Sequence, residues 1–166
     1  MKPNKGLVID LETSGLDANK DKIIEVCCLA FEGDKVLEIF TTLVDPLIQL
    51  PKSIVQHTNI NSSMLVGFPL FSDISNKLME LWSTYQPWFS YNAPFEQRFL
   101  SANIKDIKWD IVDVMKPASA FCNSSKWLKL KEAAYILKLR PPTHRAIDDC
   151  LTTYQLINKM ADYHGR

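Results

Sequence analysis

The sequence predicts a mixed-sheet α/β domain. Three β-compatible runs joined by short connections open the chain. Helical periodicity then alternates with two short apolar runs. No repeat, low-complexity tract or linker divides the 166 residues, which suffice for one domain with a sizeable core.

Leu7 to Leu11 reads as a buried strand, punctuated by Thr13-Ser14-Gly15, and Leu16 to Asp21 as a polar loop. Ile23 to Phe31 is apolar and β-compatible, with Glu25 as its odd member. Glu32-Gly33-Asp34 makes a tight turn into a third strand, Lys35 to Val44, which Asp45-Pro46 ends. Pro51 opens an irregular stretch. Beyond Pro69, residues Phe71, Ile74, Leu78, Leu81 and Trp82 recur on one helical face until Pro87. Trp88 to Tyr91 is a short strand, and Phe95, Phe99 and Leu100 mark a helix after Pro94. Trp109 to Val112 is another short strand, and Lys126 to Leu137 is helical. Pro141-Pro142-Thr143 breaks the chain before a last helix carrying Ala146, Cys150, Tyr154, Ile157 and Met160. The tryptophans, Trp82, Trp88, Trp109 and Trp127, read as packing residues, and His164 as part of an unstructured polar tail.

Hydrophobic residues make up 46% and charged residues 23%, the proportions of an ordinary soluble globule. Net charge is zero, without a basic tail or a Lys/Arg block. This disfavours a protein that wraps long duplex, whereas an enzyme gripping the last nucleotides of a strand needs no such surface. No run reaches the roughly 18 apolar residues of a membrane span. Met1 to Lys5 is not followed by the apolar core of a secretory signal, because Asp10 arrives too soon. Cys27, Cys28, Cys122 and Cys150 show no Cys-x-x-Cys spacing. They read as reduced thiols of a cytoplasmic protein, which argues against zinc.

The chemistry-bearing residues are acidic and lie far apart in sequence. Asp10 and Glu12 are two apart on a strand and so share a face, where without cations they would repel and bind protons. Glu96 follows Asn92 and Pro94 at a helix start, a routine place for an acid in any protein. Asp148 and Asp149 open the last helix, but Asp149 belongs with Ala146 and Cys150 on the inward stripe, while Asp148 turns outward with Thr152. His144 stands on a proline-stiffened connection and titrates in the range needed to take a proton from an attacking water.

Together these three segments resemble the motifs of the DnaQ-like 3′–5′ exonucleases, the DEDD group in its histidine-bearing branch. The first motif matches Asp10, Glu12, Thr13 and Gly15. The second reads Tyr91-Asn92-Ala93-Pro94-Phe95-Glu96 followed by Phe99-Leu100, and the third matches His144, Ala146 and Asp149. The similarity runs from about Leu7 to Met160 and looks most like the small bacterial exonuclease X type, with polymerase proofreading subunits close behind. It departs at Glu96, where the family has aspartate, and at Tyr91, where it has histidine. The extra methylene of Glu96 is enough to shift a bound metal.

The resemblance implies one exonuclease domain over residues 1–166 (core about 7–160) with an RNase H-like fold. It implies two divalent cations, Mg²⁺ or Mn²⁺, held by Asp10, Glu12, Glu96 and Asp149, with His144 as general base. It further implies release of nucleoside 5′-monophosphates from the 3′ end of single-stranded DNA, with Leu11, Thr13, Leu16, His57, Asn92 and Phe95 against the nucleotide. The partners implied are single-stranded 3′ ends and a polymerase or repair complex, with no membrane contact. Oligomeric state is not legible. Two rival readings share these motifs: an exoribonuclease on short RNA, and a catalytically weakened 3′-end binding module.

Overall fold

The structure, a computed structural model, describes residues 5–163. The strands are β1 (Lys5–Thr13), β2 (Ile23–Glu32), β3 (Lys35–Leu43), β4 (Trp88–Ser90) and β5 (Ile111–Asp113). The helices are α1 (Lys52–Thr58), α2 (Ser62–Leu65), α3 (Phe71–Thr84), α4 (Ala93–Asn103), α5 (Met115–Phe121), α6 (Leu130–Leu137) and α7 (Ala146–Tyr163). The sheet order is β3-β2-β1-β4-β5. β1, β2 and β3 pair antiparallel, as hairpin-joined strands do, whereas β4 and β5 join parallel to β1 through helical crossovers. No helix among the described residues is long and apolar enough to cross a membrane.

Helices cover both faces of the sheet, and the period-2 alternation of β1 decides which side each residue meets. Leu7, Ile9 and Leu11 pack with Ile74, Leu78, Leu81, Phe99 and Leu100 from α3 and α4. Val8 packs with Cys27, Leu29 and Phe31 against Ala146, Cys150, Leu156 and Ile157 of α7. Asp10 and Glu12 follow Val8 by two and four residues, so the strand aims both toward α7. The α7–sheet contact is close because Cys150 is small. Its Sγ lies 3.6 Å from the Val8 carbonyl and 3.4 Å from that of Cys27, and burial keeps the thiol protonated as a weak donor. Cys27 and Cys28 take opposite faces, and all four cysteines are free.

Several elements differ from the sequence expectation. The irregular stretch after Pro51 folds into α1 and α2, whose apolar residues Ile54, Val55 and Leu65 form a small core with Ile24, Leu50 and Ile60. Seven- and four-residue helices offer too few turns for periodicity to show. α5 was likewise invisible, and α6 begins at Leu130, four residues later than its pattern suggested. β5 covers Ile111–Asp113, shifted from Trp109–Val112. Trp82, Trp88 and Trp109 do pack together, with ring centroids 4.8–5.7 Å apart. Trp127 instead stands 67% exposed. Thr152 is fully buried rather than outward, because its hydroxyl is held between the carbonyls of Arg140 and Asp148. His164 lies outside the described residues.

Candidate functional site

A cleft of about 240 Å³ opens at the carboxyl ends of β1 and β4. Asp10, Glu12, Glu96 and Asp149 all line it, as do His144, His57, Asn92 and Phe95. Leu11, Thr13, Gly15 and Leu16 complete the wall on the β1 side. Every residue expected at the site is therefore in one place, and Asp148 is not among the lining residues.

Each side chain is held by its own local device. Beyond β1 the chain turns through Ser14–Lys22, closed by a Ser14 N–H to Lys22 carbonyl bond of 2.8 Å. The Asp21 carboxylate folds back onto the Asp17 N–H at 2.9 Å, and a Cβ at Gly15 would sit 2.3 Å from that carboxylate. This explains the glycine of the first motif sterically. The turn leaves Leu16 80% exposed at the lip of the cleft.

Glu96 is buried in the first turn of α4 and accepts a 2.6 Å hydrogen bond from the Ser90 hydroxyl at the end of β4. Ser90 in turn accepts the Asn92 N–H at 3.2 Å. Ser90 thus aims the longer glutamate, a role unmarked in sequence because serine at a strand end is commonplace. Tyr91 is buried and donates its hydroxyl to the Leu128 carbonyl at 2.7 Å, a supporting contact rather than one inside the cleft.

The third motif is organised by its own two aspartates. Asp149 Oδ1 accepts the N–H groups of Thr143 and His144 at 3.1 and 3.2 Å. Asp148 accepts the Thr143 hydroxyl at 2.6 Å and pairs with Arg140. Both acids therefore grip the connection that carries His144. That residue adopts φ +59°, a left-handed conformation that costs a side-chain-bearing residue on the order of 1 kcal/mol. The His144 ring lies against His57, with centroids 3.9 Å apart. His57 rides on α1, not on a loop. Thr58 is the last residue of α1, and the left-handed turn falls on Asn59 at φ 58°. Phe95 is half-buried, 4.9 Å from Phe99 by centroids, with an edge in the cleft.

Glu25 is the functional residue that sequence reading passed over. It lies directly across the β1–β2 ladder from Glu12 and is almost fully buried. Arg145 meets it through Nε and Nη2, the latter at 2.7 Å, and the Ala146 N–H adds a 2.9 Å bond. This fork latches the start of α7 onto β2 and places positive charge beside Glu12. The signal was there: an acid inside an apolar strand demands a partner, and Arg145 sits within the third motif.

Burial is the main force on the cleft acids. It pushes Asp10 well above the usual carboxylate range, with Glu12, Asp149 and Glu96 adding repulsion. Burial raises Glu12 to about 9, helped by Asp149 and Glu25 and opposed by Arg145. Glu96 rises to about 8 against the pull of its Ser90 bond, and Asp149 to about 6 against its two backbone donors. Burial lowers His144, and His57, Lys131 and Lys129 lower it further, so the imidazole is neutral near pH 7. Ligand atoms of Glu12, His144 and Asp149 all lie within 4.8 Å of one another. The four carboxylates of the cleft, oxygen donors crowded and reluctant to ionise together, fit hard divalent cations.

Two outcomes follow from this balance. Arg145→Met is expected to destabilise the protein by about 3 kcal/mol in urea denaturation, because it strands a buried acid, with Glu25→Gln on top restoring much of the loss. A single variant as stable as the parent would contradict the latch. Raised carboxyl pKa values mean the folded state holds protons that the unfolded chain has released, so the contribution of these acids to stability is full below about pH 4 and is lost as pH rises toward 9. In EDTA the Tm is expected to fall across that window, and saturating Mn²⁺ to remove most of the fall. A flat metal-free profile would contradict the repulsion.

Residues 7–157 match the family model described as exonuclease (RNase T). DNA polymerase III PolC-type from Clostridium perfringens is 29% identical over 156 residues, which are 91% of this chain and 11% of that protein. The chain thus spans about a tenth of the length of that relative. DNA polymerase III subunit epsilon from Treponema pallidum is 27% identical over 165 residues, covering 95% of this chain and 76% of the relative. The structure of exonuclease X with 5′ overhanging duplex DNA superposes with a TM-score of 0.73 at 22% identity, over 96% of this chain and 93% of that one. The likeness is one of fold, the RNase H-like mixed sheet. Because the match runs through all three acidic motifs, with their carboxylates in one cleft, the chain belongs to the exonuclease family.

Proposed function

We propose that this chain is a metal-dependent 3′–5′ exonuclease that releases nucleoside 5′-monophosphates from the 3′ end of single-stranded DNA. The observation that carries the reading is the convergence of four carboxylates and a neutral histidine on one cleft of single-nucleotide scale. Asp10, Glu12, Glu96 and Asp149 would hold two cations, Mg²⁺ or Mn²⁺. Bound there, the cations supply the positive charge that lowers the pKa of an attacking water and offsets charge on the phosphate and the leaving 3′ oxygen.

The chain's own groups do the rest. His144 accepts the proton of the attacking water, and its backbone bond to Asp149 holds it near the metal-binding acids. Ser90 keeps Glu96 pointed inward, so the longer acid serves where the family has aspartate. Leu11, Thr13, Leu16, Asn92, Phe95 and His57 border the terminal nucleotide, with exposed Leu16 covering its base. Residues 1–166 act as a single exonuclease domain with its core at about 7–160. The DNA polymerase names of the relatives support work in a polymerase complex; the reading extends to a repair complex and to the cytoplasm.

A 5′-labelled single-stranded DNA should yield a ladder of shortened products with Mn²⁺ and none with EDTA. Asp149→Asn should abolish the ladder and Asp148→Asn should leave most of it. His144→Ala should lower kcat by roughly 10²–10⁴-fold with cation affinity largely kept. RNA in parallel decides the sugar preference, and no product from either polymer with any cation sinks the enzyme reading. Glu96→Asp is expected to be neutral or worse, because the shorter acid leaves its Ser90 partner. A tenfold gain, about 1.4 kcal/mol off the barrier, would instead identify the glutamate as a partial disabling.

A further inference from the structure

The chain is neutral overall, yet between residues 116 and 140 it carries six basic residues against the single acid Glu132. Four of the six flank Trp127 along the chain or in space. Lys116 on α5, Lys126 on the connection, Lys129 before α6 and Lys131 in its first turn are all exposed. Trp127 stands among them, 67% exposed, with Lys116 Nζ 5.2 Å from its ring centroid. An indole left in water within a basic field is not a packing residue; it offers a stacking face where phosphates are attracted.

This surface is fixed to the cleft at defined points. The Tyr91 hydroxyl, one residue from cleft-lining Asn92, holds the Leu128 carbonyl at 2.7 Å. The Leu128 N–H donates to Ser119 Oγ on α5 at 2.9 Å. Trp127 and Lys129, the two neighbours of Leu128, are thereby held in place. Lys129 and Lys131 act electrostatically on His144 at the cleft itself.

We propose that this surface binds the single strand on the 5′ side of the scissile phosphate, with a base stacked on Trp127 and backbone phosphates beside Lys129 and Lys131. The inference rests on the exonuclease reading for the placement of the 3′ end in the cleft. Charge complementarity selects a polyanion, and the exposed indole selects one with bases. The tyrosine in the second motif then has a purpose, since its hydroxyl anchors the binding strip to the site.

Binding of a 5′-fluorescein twelve-nucleotide oligo(dT), followed by anisotropy in EDTA over a salt series, tests this without relying on cleavage. Trp127→Ala should weaken binding roughly tenfold and Trp127→Phe should restore most of it. Lys129→Ala with Lys131→Ala should reduce the slope of log K against log salt by about 0.7 per lysine removed. With Mn²⁺, the Trp127→Ala loss should fall on KM rather than kcat. Trp127→Ala binding as tightly as the parent would overturn the proposal, and so would an equal loss of affinity for polyglutamate, which has charge but no bases. Normal shifts in binding from a protein that cuts nothing would uphold the surface and reject the exonuclease reading.

Discussion

Like charge buried at the end of β1 is the constraint on which this structure turns. Asp10 and Glu12 are brought to α7 by strand periodicity, and Asp149 and Glu96 are brought to them by two separate helices. Each added carboxylate makes the others harder to ionise. The fold answers with fixed dipoles and one cation. Two backbone N–H groups face Asp149, a hydroxyl faces Glu96, and Arg145 stands beside Glu25 and Glu12. Hydrophobic packing of α7 against Val8, Cys27 and Leu29 supplies the force that keeps these groups together. The acids therefore contribute nothing to stability by themselves; they are tolerated because the surrounding core is strong.

The same latch ties the candidate site to the architecture. Arg145 lies between His144 and Ala146, so the residue that neutralises Glu25 also sets where the histidine emerges. The left-handed backbone at His144 persists because both sides of it are held, by Asp149 within α7 and by Glu25 across the sheet. A strained residue clamped from two directions has few alternatives, so the imidazole keeps one place beside the cleft acids.

Much of this was legible in the sequence, for a physical reason. The long elements, β1, β2, β3, α3, α4 and α7, carry enough periodic residues to show their type. The acidic positions are likewise placed by period, so Asp149 separates from Asp148 on helical phase alone, and of the two only Asp149 lines the cleft. What stayed hidden depends on contacts between distant residues. α1 and α2 are too short to show a period, and Ser90 looks like any strand-end serine. Trp127 looked like a core residue because composition favours buried indoles, yet no element covers it. Thr152 sat on the polar side of the helical wheel, but the Arg140–Asp148 segment folds over it and satisfies its hydroxyl.

The order of the elements along the chain has a consequence for synthesis. β1, which brings Asp10 and Glu12, leaves the ribosome before α7, which brings Asp149 behind His144. Until α7 docks, the face of the sheet with Val8, Cys27 and Leu29 lacks the cover that α7 gives it, and the acids of β1 have neither the latch nor the His144 imidazole beside them. A chain without α7 is thus an aggregation-prone sheet with an incomplete cleft. The four carboxylates and the histidine meet only once α7 has docked, so that folding itself decides when the cleft exists.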